Sequence, residues 1–208
     1  MKKITILLLM YITIILSCNI IYAAKIDINL DGIFDDWVDK PQTLLTYPWY
    51  NEGQEHTVKW YMDEDNLYLY IKMGTRGGQS INYYTIHYWV DGGERRQLAL
   101  APDSPSKGKI SIIDLRNYSV LTQDGYVVRG NNNNGKSSDE AEFRIPLSTF
   151  REDQDDEMFN LRLAFPNLGN EEVVFEAGST FPYMAVILSL LMVLLGILIY
   201  KGKKRDKI

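Results

Sequence analysis

Between residues 26 and 176 the chain alternates apolar and polar side chains with a period of two, the pattern of strands that bury one face. Ile26, Ile28 and Leu30 alternate with Asp27, Asn29 and Asp31. Val58, Trp60 and Met62 share a face, as do Leu67, Leu69 and Ile71, and the acidic break Asp63-Glu64-Asp65-Asn66 between them reads as a hairpin turn. Tyr84, Ile86, Tyr88 and Val90 alternate with Tyr83, Thr85, His87 and Trp89 before Asp91-Gly92-Gly93 ends the run. Further runs cover residues 97–101, 109–114, 126–129, 141–145, 159–165 and 173–176. Helical periodicity is confined to one turn near residues 148–152, and no internal repeat is present. About ten short strands at near-regular spacing predict an all-β, antiparallel sandwich of jelly-roll type over residues 25–178.

The two ends read differently. Residues 1–23 begin with Lys2 and Lys3, continue through an apolar run and end on Ala23, as a secretory signal peptide does. A rival reading takes Ile15-Leu16-Ser17-Cys18 as a lipoprotein box that would acylate Cys18. If Cys18 leaves with the leader, the mature domain has no thiol and no disulfide. Residues 181–200 are uncharged and, at about 1.5 Å per residue, match a bilayer core of roughly 30 Å. The basic tail 201–208 resists translocation, so the predicted topology is a single-pass cell-membrane protein with residues 25–178 outside. This ending resembles the C-terminal sorting domains handled by exosortase-type enzymes, in which a short motif, here the place of Gly178-Ser179-Thr180-Phe181-Pro182, precedes an apolar helix and a basic cluster. The resemblance implies a processing enzyme as partner; a permanent single-span anchor is the alternative. No L-P-x-T-G occurs in the chain, which argues against ordinary sortase attachment.

Charge sharpens this division. The whole chain of 208 residues carries a formal net charge of -5, but both ends are basic. Residues 24–180 hold 15 bases against 26 acids. A domain of that sign repels phosphate backbones, so nucleic acid and teichoic-type polymers are poor ligands for it.

Aromatic residues carry the main functional signal, with 14 Tyr and four Trp against seven Phe. Sugar rings stack on flat aromatic faces, and Tyr and Trp add a polar handle for sugar edges. If Leu67, Leu69, Ile71, Tyr84, Ile86 and Tyr88 point inward, then Tyr68, Tyr70, Tyr83, His87 and Trp89 point outward, with Trp49 and Tyr50 in a loop after Pro48. Trp89, His87, Tyr83, Tyr68, Tyr70 and Trp49 are therefore the candidate carbohydrate-binding residues. Cross-strand packing is the competing use of the same side chains.

Other motifs carry less. Gly130 to Ser137 matches the P-loop pattern, but a phosphate cradle needs a helix after it, and here a strand follows. Asp27, Asn29 and Asp31 before Gly32 fit the first half of a calcium loop, whose twelfth position is Val38 instead of an acid. Calcium held by Asp31 and Asp35, with Asp36 and Asp39 near, stays open beside a simple Asp-rich turn. With two histidines and no H-E-x-x-H or G-x-S-x-G motif, the usual parts of a catalytic site are missing, and the chain reads as non-enzymatic.

Three segments together carry a resemblance. Asp31-Gly32-Ile33-Phe34-Asp35-Asp36-Trp37, the run from Val58 through Tyr70, and Glu142-Phe143-Arg144-Ile145-Pro146-Leu147 resemble, in this order, landmarks of the family 9 carbohydrate-binding modules and their DOMON-like relatives. The resemblance implies a β-sandwich that binds a sugar polymer or a cofactor without cleaving it, and it assigns Trp37 and Trp60 to the core. The expected partner is a polysaccharide or wall glycan. Because DOMON-like domains also hold haem, a haem module using His87 with Met62 or Met73 is the alternative, and a structural surface protein without small ligand is another.

Overall fold

The computed structural model describes residues 28–76, 78–104, 107–151 and 158–178. The expected signal peptide (1–23), Cys18, membrane span (181–200) and basic tail (201–208) lie outside the described residues. Among the described residues no helix is long and apolar enough to cross a membrane.

The described residues form an antiparallel sheet of eleven strands: β1 (Gln42–Leu45), β2 (His56–Met62), β3 (Asn66–Lys72), β4 (Tyr84–Val90), β5 (Arg96–Ser104), β6 (Lys107–Asp114), β7 (Ser119–Thr122), β8 (Gly125–Asn131), β9 (Ser137–Pro146), β10 (Met158–Ala164) and β11 (Glu172–Gly178). Their lateral order is β1-β2-β3-β9-β8-β6-β5-β4-β10-β11, with β7 paired to β6. The expected all-β, antiparallel architecture is present, with its layers joined edge to edge. β6 pairs with β5 along its length and with β8 through Gly108↔Val127 and Lys109↔Tyr126, so the two layers are one continuous sheet. The sheet nearly closes on itself: Asn170 N–H donates to the Thr46 carbonyl at 2.9 Å, and Trp60 of β2 stacks on Phe175 of β11 at 6.5 Å between ring centroids.

The interior follows the period-two pattern. Leu67, Leu69 and Ile71 of β3 and Phe143 and Ile145 of β9 meet Ile86, Tyr88, Leu98, Leu100, Leu161 and Leu163 of the other layer in one core. The Asp63 turn joins β2 to β3, its carboxylate accepting the N–H groups of Asp65 and Asn66 at 2.9 and 2.7 Å. Val90-Asp91-Gly92-Gly93 closes with a 2.8 Å bond from Gly93 N–H to the Val90 carbonyl. Asp91 and Gly92 both have positive φ there, as a type I′ turn requires.

One expectation fails locally. Residues 28–30 are not a strand; the segment 28–37 lies across the outer face of β3 and β9, where its side chains replace a solvent shell. The short strands β1 and β7 carried too few alternations to be seen in the sequence. The P-loop match is the tip of the β8–β9 hairpin. Its Asn132 and Asn134 side chains donate to the Thr75 carbonyl at 2.9 and 3.0 Å, which ties down the tip.

Candidate functional site

The loop between β1 and β2 gathers aromatic residues for a local reason. Tyr47-Pro48-Trp49-Tyr50 is a turn, with Tyr50 N–H bonded to the Tyr47 carbonyl at 2.9 Å and Pro48 presetting the second position. The turn lets Trp49 lie flat on Tyr47, at 4.5 Å between centroids and 7° between planes. Tyr50 meets Tyr47 edge-on. One indole face is thus taken by Tyr47, while Trp49 as a whole stays 69 % exposed.

Residues 165–171 brace this loop from behind. The Tyr47 hydroxyl donates to the Pro166 carbonyl, and the Glu171 carboxylate accepts both the N–H and the hydroxyl of Thr46 at 2.5 Å. Buried His56 completes the support. Gly74 N–H donates to its Nδ1 at 2.9 Å, so its proton sits on Nε2 and is directed at the Tyr50 hydroxyl, 3.1 Å away, which in turn donates to the Leu168 carbonyl at 3.2 Å. Burial holds His56 well below the usual imidazole range, at about 4, with Glu55 pulling weakly the other way. Tyr47, Glu171 and His56 escaped the sequence reading; the Tyr-Pro-Trp-Tyr turn was the one local signal for the first of them.

The outer face of β4 shows what alternation predicts, with a difference in access. Tyr83 is 56 % exposed at the start of the strand, where Thr85 N–H donates to Asn167 Oδ1 at 2.8 Å and joins this edge to the bracing loop. His87 and Trp89 are half-buried and meet edge-on. The Arg162 guanidinium lies over the Trp89 ring at 4.1 Å, a cation–π contact that covers the face a sugar would need. Burial and then the positive charge of Arg95 lower the pKa of His87.

Tyr68 and Tyr70 point away from the main core, as expected, but they are not a platform. The segment 28–37 covers both: Trp37 stacks on Tyr70 at 5.6 Å, and Tyr70 is 5 % exposed. The Tyr70 hydroxyl bonds Glu140 at 2.5 Å, and burial, ahead of that neighbouring carboxylate, raises its pKa. The Tyr68 hydroxyl bonds Asp63 at 2.9 Å beside a shallow polar groove of about 310 Å³ that also holds Asp124 and Arg144, themselves paired.

The cover is fastened by Glu142, which accepts Gly32 N–H at 2.6 Å and the Trp37 indole N–H at 2.9 Å. Gly32 has φ +82°, and a Cβ there would stand 2.9 Å from the Val128 side chain. We expect Gly32→Ala to lower the unfolding free energy by about 1–2 kcal/mol in urea titration; an unchanged midpoint would show that the turn relaxes freely. Trp37 is buried as expected, but in this outer cluster instead of the main core; Trp60 packs against the main core.

The calcium candidates do not converge. Asp31 accepts Ile33 N–H at 2.8 Å and the Asn29 amide at 2.7 Å, while Asp35 sits exposed in a single 3-10 turn. Among the described residues no three of His, Cys, Asp and Glu gather in a metal-binding group. The haem pairing fails on direction. Met73 is buried in the main core and Met62 packs against it, whereas His87 lies on the outer face of the opposite layer.

Searches against family models, curated proteins and solved structures find no match to the chain, so its function is argued from its own geometry.

Proposed function

We propose that the chain is a non-enzymatic binding module, held at the cell surface by its apolar 181–200 segment, that recognises a polysaccharide or wall glycan. The observation that carries this reading is the Tyr47–Trp49 stack. An exposed indole already fixed in one orientation loses little conformational entropy on binding and offers a flat apolar face edged by polar groups. Its neighbourhood fits a sugar surface: Tyr47 and Tyr50 are held by hydrogen bonds to Pro166 and Leu168, and exposed Tyr83 stands near the bracing loop through the Thr85–Asn167 contact.

The test is binding to a polysaccharide panel by the full chain in detergent. Trp49→Ala is expected to lower affinity at least about tenfold, the loss typical of an anchoring aromatic. Circular dichroism should be unchanged, since Trp49 is exposed. Equal binding by the variant, or no binding by the parent to any polysaccharide, would defeat the reading. Export and anchoring are tested separately, by protease treatment of intact cells and by the intact mass of the surface form. A mass lacking the residues after about 180 would point to processing by an exosortase-type enzyme, and an intact C-terminus to a permanent anchor.

A further inference from the structure

One row of side chains crosses four neighbouring strands on the outer face of the sheet, where β3, β9, β8 and β6 lie side by side. The register sets Tyr68 beside Arg144 and Tyr126 beside Lys109, and Asp124, just ahead of β8, accepts Arg144 Nε at 3.0 Å and Nη2 at 2.5 Å. Together with Gln123 these residues line the groove of about 310 Å³. At roughly 4.8 Å between strands it extends about 14 Å. Residues 28–30 make its remaining wall, held by Asn29 N–H donating to Asp36 at 2.7 Å, so the segment fastened by Glu142 covers Tyr70 and also shapes an opening. Tyr126 is the unusual member. The Tyr68 ring meets Tyr61 and its hydroxyl bonds Asp63, whereas the half-buried Tyr126 ring meets no other aromatic ring and its hydroxyl makes no hydrogen bond to the described residues.

We propose that this groove is a second saccharide site, which takes an uncharged hexose residue with its ring on Tyr126. The inference rests on reading the domain as a glycan binder and names a class of sugar. Hydroxyls both donate and accept, and the groove offers partners of both kinds. The two bonds from Arg144 fall on Asp124 Oδ2, which leaves Oδ1 as an acceptor. Gln123 donates through Nε2 to Ser111 at 3.3 Å, and its Oε1 is a second acceptor. Exposed Lys109 supplies a donor at the rim. Asp124 and Arg144 neutralise each other, so an anionic sugar would find only Lys109, in water, where a single ion pair contributes little. A neutral ring stacked on Tyr126 makes fuller use of the groove. The site is separate from the aromatic loop. That loop precedes β2 at the end where Thr57 pairs with Lys72, and Tyr68 stands four positions, or about 13 Å, back from that end along β3. Two such sites let one domain hold a polymer twice or join two polymers.

The experiment titrates the full chain in detergent with two neutral glucans of different linkage, dextran and laminarin. Trp49→Ala, which removes the anchor of the aromatic loop, isolates the groove. This variant is expected to keep measurable binding to at least one of the two glucans. Adding Tyr126→Ala should weaken that residual binding at least about tenfold, as loss of an anchoring aromatic does. Tyr126→Phe, which keeps the ring, should weaken it only a few-fold. Because Tyr126 is half-buried, a second test uses Lys109→Ala with Gln123→Ala, both at exposed positions where the fold is insensitive; the pair should weaken the same binding several-fold. No residual binding by Trp49→Ala, or residual binding untouched by the Tyr126 and Lys109/Gln123 variants, overturns the groove site while leaving the reading of Trp49 standing. Binding of neither glucan by the parent also overturns the groove site, and failure across the wider panel removes the glycan reading as well.

Discussion

Replacing Glu142 by alanine is expected to cost about 3 kcal/mol of stability, among the largest effects of any single substitution in the domain. The carboxylate is fully buried on the outer face of β9 and is the acceptor for two groups, the half-buried Gly32 N–H and the buried Trp37 indole N–H. Losing it orphans both donors, at roughly 1–3 kcal/mol each, and opens a cavity under Trp37. One effect works against this. Burial raises the pKa of Glu142 in spite of its N–H donors, so removing the charge also removes a desolvation cost. The orphaned donors outweigh that relief because they stay buried only while the segment 28–37 stays in place. Urea unfolding should therefore show a lower midpoint, and amide exchange in residues 28–37 should accelerate more than in β3 or β9. Glu142→Gln, which keeps the shape but turns an N–H₂ group toward one of the donors, should fall between. A midpoint within the error of the parent would mean that the segment is held by ring packing alone.

Acidification should destabilise the domain through His56 and loosen the aromatic loop. In the fold this imidazole is held at about 4, against 6.5 for an ordinary histidine. The unfolded chain therefore takes up the proton first, and the stability that the neutral ring contributes is complete above about pH 6.5 and is lost as pH falls toward 4. That gap corresponds to about 3 kcal/mol. The structural reason is direct. A proton on Nδ1 removes the acceptor for Gly74 N–H and leaves two donors facing each other. His87, also lowered by burial, contributes in the same direction, so the comparison must be with a variant. His56→Asn retains an acceptor for Gly74 but does not titrate. Its stability, lower at neutral pH, should change less than the parent's between pH 7 and 4. If the two curves run parallel, another group controls the acid response. Binding at Trp49 should decline over the same interval to the extent that the charged ring, repelled by Gly74 N–H, swings away and carries its Nε2–H off the Tyr50 hydroxyl, while Tyr47 keeps its own bond.

How far each residue could be read in advance depended on the distance over which its fate was settled. Trp49 was legible as an exposed aromatic in a proline turn, because four consecutive residues make that turn. Its stacking partner Tyr47 and the braces Glu171 and His56 were not, since Thr46 and Glu171 are 125 positions apart. Tyr68 and Tyr70 were placed on the correct side of β3, yet alternation says only which way a side chain leaves the sheet. It does not say what covers that side.

By itself the sequence determined the strands other than β1 and β7, the turns at Asp63 and Asp91, and the inward set of apolar side chains. Burial of one strand face is written locally, every second residue. Tertiary structure alone decided the continuity of the sheet through β6 and the use of each outer face. Residues 28–37 shield Tyr70, Arg162 covers Trp89, and Trp49 stays open. Those outcomes depend on hydrogen bonds and ring contacts between segments as much as 110 residues apart, which no local pattern encodes.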